Sequence, residues 1–167
     1  MGYSLERFST ECRQILKQDP GVEGRKKVCA LVREVLKDDA FVTANLGDDV
    51  PARKVLYEDP ELGFCILGHV NHGANNSHPH DHGPSWAIYG QARGETVMTD
   101  YEAVARPGEG TPGKARPIKE YTLTPGMAYL YNEGDLHSPR RGGTTRLIRI
   151  EGKNMDKVQR FPYELVA

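Results

Sequence analysis

The histidines of this chain are unevenly placed. There are six, and five of them (His69, His72, His78, His80 and His82) fall within one short stretch, while His137 stands alone. In His78-Pro79-His80-Asp81-His82 three imidazoles recur at spacing two. On an extended backbone alternate residues face the same side, so two of these rings can address one metal ion while Asp81 points the other way. His80 and His82 are the natural pair, with His78 and His80 as the shifted register. A third ligand has to come from elsewhere. His137 qualifies, because it follows a segment, Pro125 through Leu136, that reads as a strand and a tight turn. Imidazole suits iron, zinc, copper and nickel alike. Three protein ligands leave coordination positions open, as catalytic rather than structural sites do. The bland alternative is a set of surface-loop histidines beside Asn75-Asn76-Ser77. His69 reads as an ordinary hydrogen-bonded strand histidine and His72 as loop surface.

The elements that must position these residues change character along the chain. Residues 4–18 carry Leu5, Phe8, Cys12, Ile15 and Leu16 on one helical stripe, which Asp19-Pro20-Gly21 stops. Residues 24–37 repeat the pattern with Val28, Leu31, Val32, Val35 and Leu36. From Lys54 onward short apolar runs alternate with turn residues. Strands are expected near 54–58, 64–70, 85–92, 95–104, 118–124, 128–132 and 144–151, with a long Pro/Gly break at 105–117. Strands of this length and spacing point to an antiparallel barrel or jelly roll. Two amphipathic helices in residues 1–45 then pack outside a β-barrel spanning 50–167. The whole chain, 1–167, reads as a single domain.

Composition removes several function classes. With 22 basic and 23 acidic residues the net charge is −1, so no basic surface advertises nucleic acid. No apolar run is long enough to span a bilayer, and the charged start of the chain lacks the apolar core of a secretory signal. Cys12, Cys29 and Cys65 are odd in number and scattered, which reads as reduced core cysteines in a cytoplasmic protein.

The segment His80-Asp81-His82-Gly83-Pro84-Ser85-Trp86-Ala87-Ile88-Tyr89-Gly90-Gln91-Ala92-Arg93-Gly94-Glu95 resembles the first motif of the cupin superfamily. It is most similar to the cysteine dioxygenase-like thiol dioxygenases, because residues 83 to 92 lack the glutamate that general cupins place after their paired histidines. Pro125-Gly126 through His137 resembles the second motif, and the likeness covers roughly residues 50 to 137. It implies an all-β cupin fold, a double-stranded β-helix or jelly-roll barrel, with Fe(II) on His80, His82 and His137. It also implies oxidation of a small anionic thiol by O2 to its sulfinate. Three neutral imidazoles leave the full charge of Fe(II) to attract a thiolate. Arg53 matches the arginine with which the family clamps a substrate carboxylate, a task suited to the guanidinium fork.

The chain also departs from that family. Its Ser-His-Tyr relay cannot exist here, because no histidine follows His137; Arg149 and Glu151 stand near the relay positions. Ala87 occupies the place of the cysteine that some members cross-link to a tyrosine. The candidate catalytic side chains are therefore Arg53, Tyr129 and Arg149. Tyr129 and Tyr131 share one strand face, so either hydroxyl could reach the site, whereas Trp86 and Tyr89 read chiefly as core. Arg140-Arg141, Arg146 and Arg149 itself read equally well as outward-facing charges. Glu95 and Asp100 are candidate anchors for the far nitrogens of the ligand rings. Two other functions fit the same motif: a three-histidine oxygenase that splits a diketone or enolate, and a non-enzymatic cupin that stores or senses a metal or small ligand.

Overall fold

The computed structural model describes residues 2–167. Three helices come first: α1 (Leu5–Gln18), α2 (Val22–Val35) and α3 (Asp39–Asn45). Ser4 caps α1 by accepting from the Arg7 amide, and Asp38 caps α3 by accepting from the amides of Ala40 and Phe41. The third helix is an addition to the two expected. It is a single stretch of seven residues, too short to display a periodic stripe.

Ten strands follow: β1 (Lys54–Glu58), β2 (Cys65–His72), β3 (Asn75–Asn76), β4 (Ala87–Arg93), β5 (Thr96–Ala105), β6 (Gly113–Leu123), β7 (Ala128–Tyr131), β8 (Leu136–Arg141), β9 (Thr144–Glu151) and β10 (Tyr163–Leu165). They form two five-stranded sheets, ordered β1-β2-β9-β4-β7 and β10-β6-β5-β8-β3. From β2 to β9 every connection except the β5–β6 hairpin crosses from one sheet to the other. That order is the jelly roll, or double-stranded β-helix. Three strands were not anticipated. β8 is disguised by Pro139 and the Arg140-Arg141 pair, β3 has two residues, and β10 pairs in parallel with β6. β6 begins at Gly113, inside the stretch expected to be irregular.

The two faces of the first sheet do different work. Ile66, Val70, Ile88, Ala92, Ile148 and Ile150 point outward and share one apolar cluster with Phe8, Cys12, Val28, Val32 and Phe41 of the helices. Gly90 sits where α2 comes closest: a Cβ there would lie 2.6 Å from a Val32 methyl. The inward face carries Ala87 and Tyr89, which pack with Met98, Leu123 and Tyr131. The strand pairing Tyr89↔Arg149 and Ala87↔Glu151 sets Arg149 and Glu151 on that same inward face. Cys12, Cys29 and Cys65 are free and buried. Among the described residues no helix is long and apolar enough to cross a membrane.

Candidate metal centre

His80, His82 and His137 converge. Their ligand-capable nitrogens lie within 4.8 Å of one another, and the group could hold a metal ion. The sequence pair is not carried on a regular strand, as the spacing suggested. His80 instead forms a single antiparallel bridge with His137, each amide donating to the other's carbonyl at 3.0 and 2.9 Å. This bridge ties the loop before β4 to β8, and so brings together residues 57 apart. His82 follows, and a turn closed by the Ser85 amide on the His82 carbonyl leads into β4. Gly83 takes φ +58° in that turn, a conformation that favours glycine. Asp81 points away and accepts from the Gly83 amide. His78 contributes its carbonyl rather than its ring.

The tautomers follow from the partners of the far nitrogens. His80 Nδ1 lies 2.9 Å from the His78 carbonyl, and His137 Nδ1 lies 3.0 Å from the Asp135 carbonyl. His82 Nδ1 lies 3.1 Å from Glu151 Oε2. All three partners only accept; hydrogen bonds place the proton on Nδ1 of His80 and His137, and the Glu151 carboxylate beside His82 Nδ1 favours the same tautomer there, so each Nε2 turns a lone pair inward. His82 Nε2 and His137 Nε2 are 3.2 Å apart. Burial holds all three rings neutral: it pulls His80 down to about 3, His137 well below the ordinary histidine value and His82 below it despite Glu151. Three buried lone pairs facing one point with no cation between them repel one another. That donor set fits a transition metal.

Glu151 was noted in sequence only as a residue near the missing relay. It is 1% exposed and joins His82 to Arg53, whose Nη2 donates to Oε1 at 3.0 Å. Burial alone would raise this carboxyl, but His82, Arg149 and Arg53 outweigh it and hold it at about 2. Arg53 therefore does not present an open fork to a substrate. Its Nε donates to Asp156 at 3.0 Å, so two of its donors are already committed to carboxylates. Glu95 is exposed, and Asp100 accepts from the Tyr121 hydroxyl; neither anchors a ligand ring.

Tyr129 is not among the groups facing the histidines. Its hydroxyl is 3.4 Å from Lys119 Nζ, and it lines a separate cavity with Asp100 and Tyr101. Tyr131 stacks on the His137 ring with centroids 4.1 Å apart, while its hydroxyl bonds to Tyr121. The hydroxyl at the site belongs to Tyr89, fully buried, 3.1 Å from both His82 Nε2 and His137 Nε2 and 3.5 Å from His80 Nε2. Register hid it. Tyr89 and Tyr129 pair across β4 and β7, and only closure of the barrel decides which hydroxyl reaches the centre.

Arg149 faces Tyr89: its guanidinium carbon is 4.2 Å from the Tyr89 ring centroid. Arg141, left open in sequence, turns inward and is 5% exposed. Both line a cleft of about 600 Å³ that opens on His80, together with Asn76, His78 and Arg160. The Nε of each has no protein partner, and neither guanidinium meets a carboxylate among the described residues. Burial, then the nearby charge of Arg149, pulls Arg141 down to about 10. His69 donates from Nδ1 to the Ala52 carbonyl at 2.7 Å, but its buried Nε2 has no partner.

No protein-family model and no curated protein matches the sequence. Solved structures do. The structural neighbours include cupin superfamily proteins. One, from Desulfitobacterium hafniense, aligns over 61% of this chain and 76% of its own, with TM-score 0.46 and 12% identity. KdgF from Halomonas sp. aligns over 64% and 82%, with TM-score 0.45 and 16% identity. An uncharacterised Klebsiella pneumoniae protein with a double-stranded β-helix domain aligns over 66% and 80%, with TM-score 0.45 and 15% identity. None of these descriptions names a thiol dioxygenase. The jelly-roll assignment rests on strand order, and the three-histidine group is a property of this chain.

Proposed function

We propose that this protein is a non-haem iron dioxygenase of the cupin superfamily that oxidises a small anionic thiol to its sulfinate. The observation that carries the proposal is the pairing of two features: three converging imidazole lone pairs, and beside them a cleft, opening on His80, that is lined by buried Arg141 and half-buried Arg149, neither with a carboxylate partner among the described residues. A buried, unpaired guanidinium is costly, and an anionic ligand relieves that cost. Fe(II) on His80, His82 and His137 supplies the activation of O2 when bound. The protein's own residues do the rest. Arg141 and Arg149 hold the anion and turn the thiol sulfur toward His80. Glu151, fixed by Arg53, keeps His82 in the tautomer whose Nε2 faces the centre. Arg53 is thus a positioning residue, and the anion-holding role passes to the Arg141–Arg149 pair. Leu67, Met98 and Leu147, all fully buried, help keep the barrel floor dry. The reaction balances without a further reductant. Both atoms of O2 go to sulfur, which is oxidised by four electrons, and the thiol proton leaves to solvent.

Oxygen uptake by protein reconstituted anaerobically with Fe(II) tests this. Cysteine, 3-mercaptopropionate and larger anionic thiols are compared with cationic cysteamine. Uptake with an anionic thiol, weak with cysteamine and lost in His137→Ala, is expected. Bound iron with no uptake from any thiol refutes the thiol chemistry. A second reading, oxygenation of an enolate with cleavage of its carbon skeleton, draws on the absence of any histidine after His137 for a thiol relay. Product mass separates the two.

A further inference from the structure

We propose that the phenolic oxygen of Tyr89 is a fourth protein ligand of the metal at His80, His82 and His137. This rests on the metal centre and not on the thiol chemistry. Two ligands that share one ion at about 2.0–2.2 Å stand about 2.8–3.6 Å apart when the angle between them is octahedral or tetrahedral. Four of the six separations in this cluster lie in that range, 3.1 Å from Tyr89 Oη to His82 Nε2, 3.1 Å to His137 Nε2, 3.5 Å to His80 Nε2, and 3.2 Å between His82 and His137, and the three histidine nitrogens all lie within 4.8 Å of one another. As hydrogen bonds the same contacts do not add up. The hydroxyl has one proton and three Nε2 lone pairs around it, so two of those lone pairs stay without a donor from Tyr89. A cation satisfies all four atoms at once.

The ring cannot swing away. It has no exposed surface, packs edge-on against Tyr131 with centroids 5.1 Å apart, and is covered by the Arg149 guanidinium at 4.2 Å. A fourth ligand has a consequence for the substrate. With Tyr89 among its ligands, a bound ion would have one position fewer to offer a substrate than the three histidines alone would leave. The rest of the substrate's charge must be held by protein, which is the task left to Arg141 and Arg149.

The test is optical. Wild-type protein is loaded with ferric ion, and its iron content is measured. Phenolate bound to Fe(III) gives an intense visible charge-transfer band, with tyrosinate vibrations enhanced in resonance Raman excited within it. Tyr89→Phe, which keeps the ring, should bind iron yet lose the band. Tyr131→Phe, which alters a ring beside His137 but not the ligand, should keep it. A wild-type protein with stoichiometric iron and no such band overturns the proposal, as does a band that survives in Tyr89→Phe. The Raman measurement on wild-type protein decides the matter even if a variant does not fold. Failure of the wild-type chain to bind ferric ion, cobalt or zinc overturns the metal centre and the fourth ligand together, whereas binding without the band overturns only the ligand.

Discussion

Replacing Glu151 by glutamine isolates the side chain that orients His82. The carboxylate is 1% exposed, with Oε1 at 3.0 Å from Arg53 Nη2 and Oε2 at 3.1 Å from His82 Nδ1. A glutamine fills the same volume but offers one oxygen and one NH2. If the oxygen stays with Arg53, the NH2 faces the Nδ1 proton of His82, donor against donor. His82 must then move that proton to Nε2, the atom meant for the metal. If the oxygen turns to His82, the NH2 faces the guanidinium instead. Removing an outer hydrogen bond to a metal-bound histidine weakens binding about 10–100-fold, or about 1.4–2.7 kcal/mol. Breaking a buried ion pair is also destabilising. Arg53 is 30% exposed and keeps Asp156, so the loss of folding stability should fall near the lower end of the usual range, about 3 kcal/mol. Zinc affinity is read by competition with a chromophoric chelator, and stability by urea unfolding of metal-free protein. A zinc affinity for Glu151→Gln within twofold of wild type would show that Glu151 does not set the His82 tautomer.

Acid should destabilise the metal-free protein early. His69, His80 and His137 are held far below the ordinary histidine value, chiefly by burial. The unfolded chain therefore takes up their protons first, and stability present above pH ~6.5 falls as pH drops; urea midpoints at pH 7 and pH 5 that coincide would contradict this. Arg141→Met removes a buried unpaired charge, so it should leave the fold as stable or more so while raising KM for an anionic substrate at least tenfold; lower stability with unchanged KM would place Arg141 in a structural role. Gly90→Ala drives a methyl toward Val32 and Leu36, and should lower stability by about 1–3 kcal/mol in thermal unfolding without changing zinc affinity.

The legible parts of this protein were those written in local periodicity. The stripes of α1 and α2 needed only a count of apolar spacings, and β1, β4, β5, β7 and β9 were bounded by their own turn residues. β8 was not legible, because a proline and two adjacent arginines resemble a loop until β5 is paired beside them. α3 and β3 are shorter than any period that could reveal them. At the site, the three histidines that converge could be named from spacing because two of them are neighbours in sequence and the third has no competitor outside that stretch.

Sequence by itself determined the chemistry on offer: imidazole ligands without the usual cupin glutamate, a chain lacking the histidine of a thiol relay, and an excess of arginines late in the strands. Tertiary structure alone decided which tyrosine, which arginine and which carboxylate lie beside the three histidines. Tyr89, Tyr129 and Tyr131 are equivalent by residue type and strand periodicity. So are Arg53, Arg141 and Arg149 by charge. The physical reason is that facing and reach depend on pairings between residues far apart in the chain. The pairing Tyr89↔Arg149 lays a guanidinium on a buried ring, Ala87↔Glu151 sends a carboxylate under His82, and the His80–His137 bridge closes the centre. A shift of one residue in any of these registers would send those side chains to the opposite face of the sheet.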